Sequence, residues 1–128
     1  MTHDDVQRWL DLYIAAWRSY DPQAIGDLFS DEAEYRYYPY SEPLLGRAEI
    51  VRAWTAPEGN ESQRDAPESW DARYEPYAVD GNRAVAAGWS RYFADGETPE
   101  KLYHNVYLLA FDREGRCQTF TEYFVEQK

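Results

Sequence analysis

Residues 28–54 read LFSDEAEYRYYPYSEPLLGRAEIVRAW, and this stretch decides the fold. It closes one helix, runs through an aromatic strand at 34–38 that stops at Pro39, turns at Ser41-Glu42-Pro43, and opens a second helix at Gly46. A strand held between two helices predicts helices folded over a sheet rather than a bundle or an all-strand sandwich.

Upstream, Val6, Trp9, Leu10, Tyr13, Ala16, Trp17 and Tyr20 recur at spacings of three and four, which predicts one apolar stripe on a helix over 3–20. Asp4 and Asp5 sit at the helix end where acids are favoured. Asp21-Pro22 reads as a cap followed by proline in the first turn, starting a short helix through Phe29. The helix at 46–55 carries Ile50, Val51 and Trp54 on its apolar face. Residues 57–68, PEGNESQRDAPE, are polar with prolines near both ends and predict a mobile loop placed to act as a lid.

Beyond Trp70 the signal changes to antiparallel strands. Asp80-Gly81 predicts a tight hairpin between strands at 70–78 and 83–93. Asp95-Gly96 with Pro99 makes a looser turn into 101–111, and Asp112 to Gly115 turns the chain into 116–126. No repeat or second domain interrupts this order. The prediction is one α+β domain over 1–128, with helices on one face of a meander.

Composition narrows the function. A formal net charge of −11 repels phosphate backbones and anionic lipid, which argues against nucleic acid and membrane partners. One cysteine, Cys117, excludes an internal disulfide, and no basic-then-apolar leader or spanning stretch stands out, so a cytoplasmic protein is expected. Aromatic residues make up 17%, with Tyr 12 and Trp 5, and their polar tips suit a half-wet cavity as well as a ring-filled core.

Two strands carry candidate chemistry. Alternation on the last strand puts Gln118, Phe120, Glu122 and Phe124 on one face. Facing inward, Glu122 has a raised pKa and serves as a general acid or base; facing outward, it is a solvated surface acid. On strand 101–111, Tyr103, Asn105, Tyr107, Leu109 and Phe111 share one face, and His104, Val106, Leu108 and Ala110 share the other. Both faces look covered, which predicts a central strand or one covered by a second subunit. Asn105 and Tyr107 are either ligand-orienting groups or satisfied core polarity. His104 reads as a packing or interface histidine and His3 as a solvated terminal one. The face of strand 83–93 that looks inward is left open, so Trp89, Ser90, Arg91 and Tyr92 stay unplaced. No metal-ligand spacing, phosphate loop or nucleophile elbow is present, so no metal and no cofactor are expected.

The chain resembles the nuclear-transport-factor-2-like (cystatin-like) superfamily, in its SnoaL-like, polyketide-cyclase-like branch. The resemblance rests on Tyr13-Ile14-Ala15-Ala16-Trp17, on Leu28-Phe29-Ser30-Asp31-Glu32-Ala33, on Pro43 with Gly46-Arg47-Ala48-Glu49-Ile50, and on Gly115-Arg116 with Phe120-Thr121-Glu122-Tyr123-Phe124. It implies a cone-shaped barrel of a curved antiparallel sheet closed by three N-terminal helices around a pocket, and a homodimer through the outer sheet face. Such families include isomerases, cyclases, hydrolases and non-catalytic binding proteins, a reminder that a fold does not fix a function. Tyr13 resembles the helix-one tyrosine that donates to a substrate oxygen in steroid isomerases. Their catalytic aspartate is replaced by Tyr37, and their protonated aspartate falls near Tyr107. Glu122 falls where cyclase-like and epoxide-hydrolase-like relatives carry a pocket acid, while Asn105 and Tyr107 replace the arginine and second acid of the latter.

Together these observations predict an acid–base enzyme on a small apolar, oxygen-bearing or aromatic molecule. Glu122 would move a proton, Tyr13, Tyr107 and Asn105 would hold an oxyanion, and Trp17, Tyr37, Trp54, Phe120 and Phe124 would form the walls. The alternative is a non-catalytic binding or dimeric scaffold module.

Overall fold

The computed structural model describes residues 1–56, 65–66 and 68–128. Helix α1 (His3–Ser19) begins in a capping box: Thr2 Oγ1 accepts from the Asp5 amide and the Asp5 carboxylate accepts from the Thr2 amide. Its stripe buries Val6, Trp9, Leu10, Tyr13 and Ala16, and it stops where Tyr20 turns left-handed. Helix α2 (Pro22–Asp27) is capped by Asp21 and is shorter than its sequence suggests. It gives way because Leu28 and Phe29 are drawn into sheet pairing, with the Leu28 carbonyl accepting from the Cys117 amide at 2.8 Å.

Strand β1 (Phe29–Arg36) therefore starts five residues before the predicted one and ends two before it. The two-residue strand β2 (Leu44–Leu45) pairs back onto Tyr35 and Glu34 and has no sequence signature. Helix α3 (Arg47–Thr55) follows Gly46, whose φ of 91° only glycine adopts without strain.

Strands β3 (Trp70–Asp80), β4 (Arg83–Tyr92), β5 (Lys101–Phe111) and β6 (Cys117–Glu126) form the predicted meander almost residue for residue. The sheet order is β2-β1-β6-β5-β4-β3. It is antiparallel except where β1 runs parallel to β6, a pairing the all-antiparallel expectation lacks. The curved sheet is open along β2 and β3, so the cone is completed by helix packing and not by a closed hydrogen-bond ring.

Two irregularities shape the concave face. Gly88 on β4 has no room for a Cβ, which would overlap the Arg73 carbonyl, so the strands coil tightly together there. A bulge in the β5–β6 register lets both Cys117 and Phe120 point inward. Gln118 is thereby turned to solvent, which corrects its expected place on the face of Phe120 and Glu122. Trp9, Phe29, Phe111 and Phe120 pack edge-on at one end of the concave face and fill it; the other end stays hollow.

Strand β5 is central, as expected, but its outer face is open in the single chain: Val106 and Leu108 are about 40% exposed. The lid expectation for 57–68 falls almost wholly outside the described residues. No helix among the described residues is long and apolar enough to cross a membrane.

Candidate active site

The hollow end of the cone is a cavity of about 700 Å³. Helical spacing of four puts Tyr13 and Trp17 on the same wall, and α3 supplies Trp54. Alternation on the strands supplies Tyr35 from β1, Tyr74 from β3, Ser90 and Tyr92 from β4, Tyr103, Asn105 and Tyr107 from β5, and Glu122 and Phe124 from β6. Among the described lining residues twelve are aromatic, and only Glu122 and Asp65 are ionised side chains in ordinary neutral solution.

Glu122 sits opposite Tyr107 in the β5–β6 register, so its carboxyl enters the cavity between aromatic neighbours. Burial pushes its pKa up from 4.5 to about 7, and the hydrogen bond from Asn105 only partly offsets this. Asn105 Nδ2 donates to Glu122 Oε2 at 3.0 Å. Behind it runs an ordered chain, in which Ser90 Oγ donates to Asn105 Oδ1 at 2.7 Å and Tyr74 Oη lies 2.6 Å from Ser90 Oγ. A serine hydroxyl has one hydrogen, already given to Asn105, so Tyr74 must donate to Ser90. The Tyr107 ring packs edge-on against that of Tyr74, with centroids 4.9 Å apart.

Every donor in this chain therefore points toward Glu122. In this order the Asn105 amide presents its nitrogen to the carboxyl. An amide does not relay protons readily, so the chain orients and polarises rather than conducts. The carboxyl keeps its second oxygen for the cavity.

The phenols remain protonated donors. Tyr13, Tyr35 and Tyr107 are held well above their ordinary pKa by burial, and Tyr37 and Tyr74 are pushed up to about 12 by the same cause. Asn105 is engaged between Ser90 and Glu122, so its geometry suits positioning the carboxyl better than holding an oxyanion. Trp54 Nε1 is buried and has no acceptor among the described residues.

Of the expected wall residues, Trp17, Tyr37, Trp54 and Phe124 line the cavity. Phe120 lies one layer behind, stacked on Tyr35 with ring centroids 4.3 Å apart, and is core rather than wall. The open question on strand 83–93 resolves with Ser90 and Tyr92 inward; Arg91 is turned away and pairs with Glu100 at 3.2 Å. His104 is exposed on the outer face and meets Gln127 Oε1 at 2.8 Å. Tyr35, Tyr74, Ser90 and Asp65 were not singled out by the sequence as site residues, and only knowledge of which strand face looks inward would have found the first three. No group of three His, Cys, Asp or Glu side chains among the described residues is arranged to hold a metal.

A six-stranded curved sheet wrapped by three helices around an aromatic cavity is the NTF2-like α+β architecture. The chain belongs to the SnoaL-like domain family, which it matches over residues 6–120. Two solved structures share the fold. An NTF-2-like protein of unknown function from Burkholderia xenovorans LB400 aligns with a TM-score of 0.67 at 18% identity, over 98% of this chain and 86% of that one. An NTF2-like protein of unknown function from Cytophaga hutchinsonii ATCC 33406 aligns with a TM-score of 0.64 at 18% identity, over 93% of this chain and 98% of that one. At such identity the likeness speaks for the fold alone. A search of curated proteins returns no match.

Proposed function

We propose that this chain is a cofactor-independent acid–base enzyme acting on a small, largely apolar molecule that carries an oxygen function. The observation that carries this reading is the desolvated Glu122 carboxyl, with a pKa of about 7 and a single hydrogen-bond partner among the described residues, in the wall of an otherwise aromatic cavity. A group titrating at the working pH is suited both to take and to return a proton. Glu122 removes a proton from the substrate carbon or from an attacking hydroxyl or water, and Tyr13 donates to the oxygen on which charge develops. Proton return from Glu122 completes an isomerisation, a cyclisation or an addition of water.

A set of enolisable ketones, polyketide-like diketones and terpenoid epoxides, followed by mass spectrometry and proton exchange in deuterated water, tests the proposal. Turnover by the wild type should fall by about 10²–10⁴ in Glu122→Gln. Undiminished turnover in that variant removes Glu122 from the mechanism. A non-catalytic binding module is the second reading, favoured by Asn105 and Tyr107 on the neighbouring strand, which give Glu122 no second acid there. A ligand that raises Tm and is recovered unchanged would decide for it.

The chain is further proposed to act as a homodimer joined through the outer face of β4, β5 and β6, and to work in the cytoplasm. Exposed Val106, Leu108, Tyr123 and Val125 support the first part.

A further inference from the structure

We propose that the ligand of this cavity is an amine, protonated at neutral pH and carried on an apolar or aromatic body, with its ammonium group seated beside Asp65 against the rings of Trp17 and Tyr92. The proposal rests on the cavity being the ligand site, as argued above, and adds the charge of what it binds.

The charge balance of the walls supplies the first argument. Among the described lining residues there are two carboxylates, Asp65 and Glu122, and no lysine, arginine or histidine. The nearby cations on the elements that build the cavity are turned elsewhere: Arg18 binds Asp71 Oδ1 at 2.8 Å and Arg91 pairs with Glu100. Among the described lining residues a carboxylate or phosphate ligand meets only like charge. A ligand without a cationic group leaves the charge of Asp65 unpaired among the described residues.

The rings supply the second argument. Tyrosine and tryptophan faces carry negative potential, so a cavity walled by them attracts a desolvated cation from several directions at once. At Asp65 the Trp17 indole presents its N–H edge, with one ring face stacked on Trp70 at 3.5 Å and the Tyr92 ring tilted nearby. Trp17 Nε1 donates to Asp65 Oδ2 at 3.0 Å, the Tyr20 hydroxyl accepts from the Asp65 amide at 3.0 Å, and the Trp17 and Tyr92 rings lie 6.3 Å apart. No cation pairs with Asp65 among the described residues, although burial pushes its pKa up. Burial chiefly raises the pKa of the Tyr92 hydroxyl, and the charges of Asp65 and Glu122 add to it. An ammonium at the Asp65 end leaves Glu122 free for the proton chemistry of the ligand body. The net charge of −11 adds a long-range attraction for cations.

The sign of the pH dependence follows. An alkylamine stays protonated below about pH 10. Asp65 and Glu122, both raised, become anionic as pH climbs through the acid range and through about 7, while Tyr13, Tyr35, Tyr37, Tyr74, Tyr92 and Tyr107 stay neutral. Amine binding therefore tightens from pH 5 to pH 8.

The test is calorimetry and thermal shift of the whole chain with matched triplets: 3-phenylpropylamine, 3-phenylpropan-1-ol and 3-phenylpropanoate, then cyclohexylmethylamine, its alcohol and its acid. The amine of each triplet should bind at least about tenfold more tightly than the alcohol, and the acid should not bind. Asp65→Asn should abolish the preference for amine over alcohol. Alcohols or acids that bind as well as the amines, in a manner sensitive to Trp54→Ala but not to Asp65→Asn, overturn the amine assignment and leave the cavity reading standing. Failure of every compound in both triplets overturns the amine assignment, and turnover of a ketone or epoxide by the wild type then decides the acid–base reading separately.

Discussion

A carboxyl whose pKa is raised by the fold is a cost to that fold once it ionises. Glu122 has a pKa of about 7 in the folded chain against 4.5 for the free group. Between those values the folded state holds more proton than the unfolded one, so stability falls as pH rises from about 4.5 to about 7 and is level above that. Glu122→Gln abolishes this slope. Relative to wild type, the variant should gain about 2–3 kcal/mol on passing from pH 5 to pH 8, read from urea midpoints at both values. Equal slopes for the two proteins would mean that Glu122 is solvated and without special chemistry. Ser90 offers a second test at the same scale. Without its hydroxyl, Asn105 can turn its oxygen toward Glu122, which favours the protonated carboxyl. Ser90→Ala should therefore raise the Glu122 pKa further in a carboxyl-carbon NMR titration, and cost about 1–3 kcal/mol through the unpaired Tyr74 and Asn105 groups. A lowered or unchanged pKa would show that the chain behind Glu122 does not orient it.

At the scale of elements, Gly88 decides how tightly β3 and β4 coil and so where Tyr74 and Ser90 meet. Its missing Cβ is replaced by the Arg73 carbonyl, which as backbone cannot move aside cheaply. Gly88→Ala should cost more than about 3 kcal/mol in chemical unfolding, above the usual range for overpacking, and should lower Tm. A loss below about 1 kcal/mol would mean that the sheet relaxes there freely. Gly88 also marks where sequence reading stops. The meander was legible because turn residues punctuate alternating strands, and α1 because its stripe is long. Phe29 was read as helix because the sequence around it is helix-compatible, and the parallel pairing with Cys117 that claims it lies 88 residues away. β2 was illegible for the same reason: two leucines after a proline form a strand only because Tyr35 is there to pair with them. In the site, Glu122 was legible as a carboxylate between phenylalanines. Ser90, Tyr74 and Tyr35 were not, because alternation sorts residues into two faces without saying which one looks inward.

For the molecule as a whole, the question is what covers the convex face. The register lines up Ala87, Val106 and Tyr123 across three strands, with Val85, Leu108 and Thr121 on one side and Trp89, His104 and Val125 on the other. This is a continuous grid of apolar and aromatic side chains on a surface that otherwise carries a net charge of −11, and Val125 is 69% exposed within it. Such a patch favours burial against a second surface, and a self-complementary one is satisfied by a two-fold axis. Under that symmetry each substitution acts twice, and Val106 lies at the centre of the grid. Val106→Asp would place two carboxylates in an apolar interface, at several kcal/mol each. Sedimentation should show wild type as a dimer at micromolar concentration and the variant as a folded monomer near 15.1 kDa, with unchanged far-ultraviolet circular dichroism. Because Val106 lies between Asn105 and Tyr107 on one strand, a subunit docked there would also brace the strand that orients Glu122. The monomeric variant should therefore show a less sharply defined Glu122 titration as well as a lower Tm. A wild type that sediments as a monomer at all concentrations would separate the cavity from the outer face and leave the grid without a role in assembly.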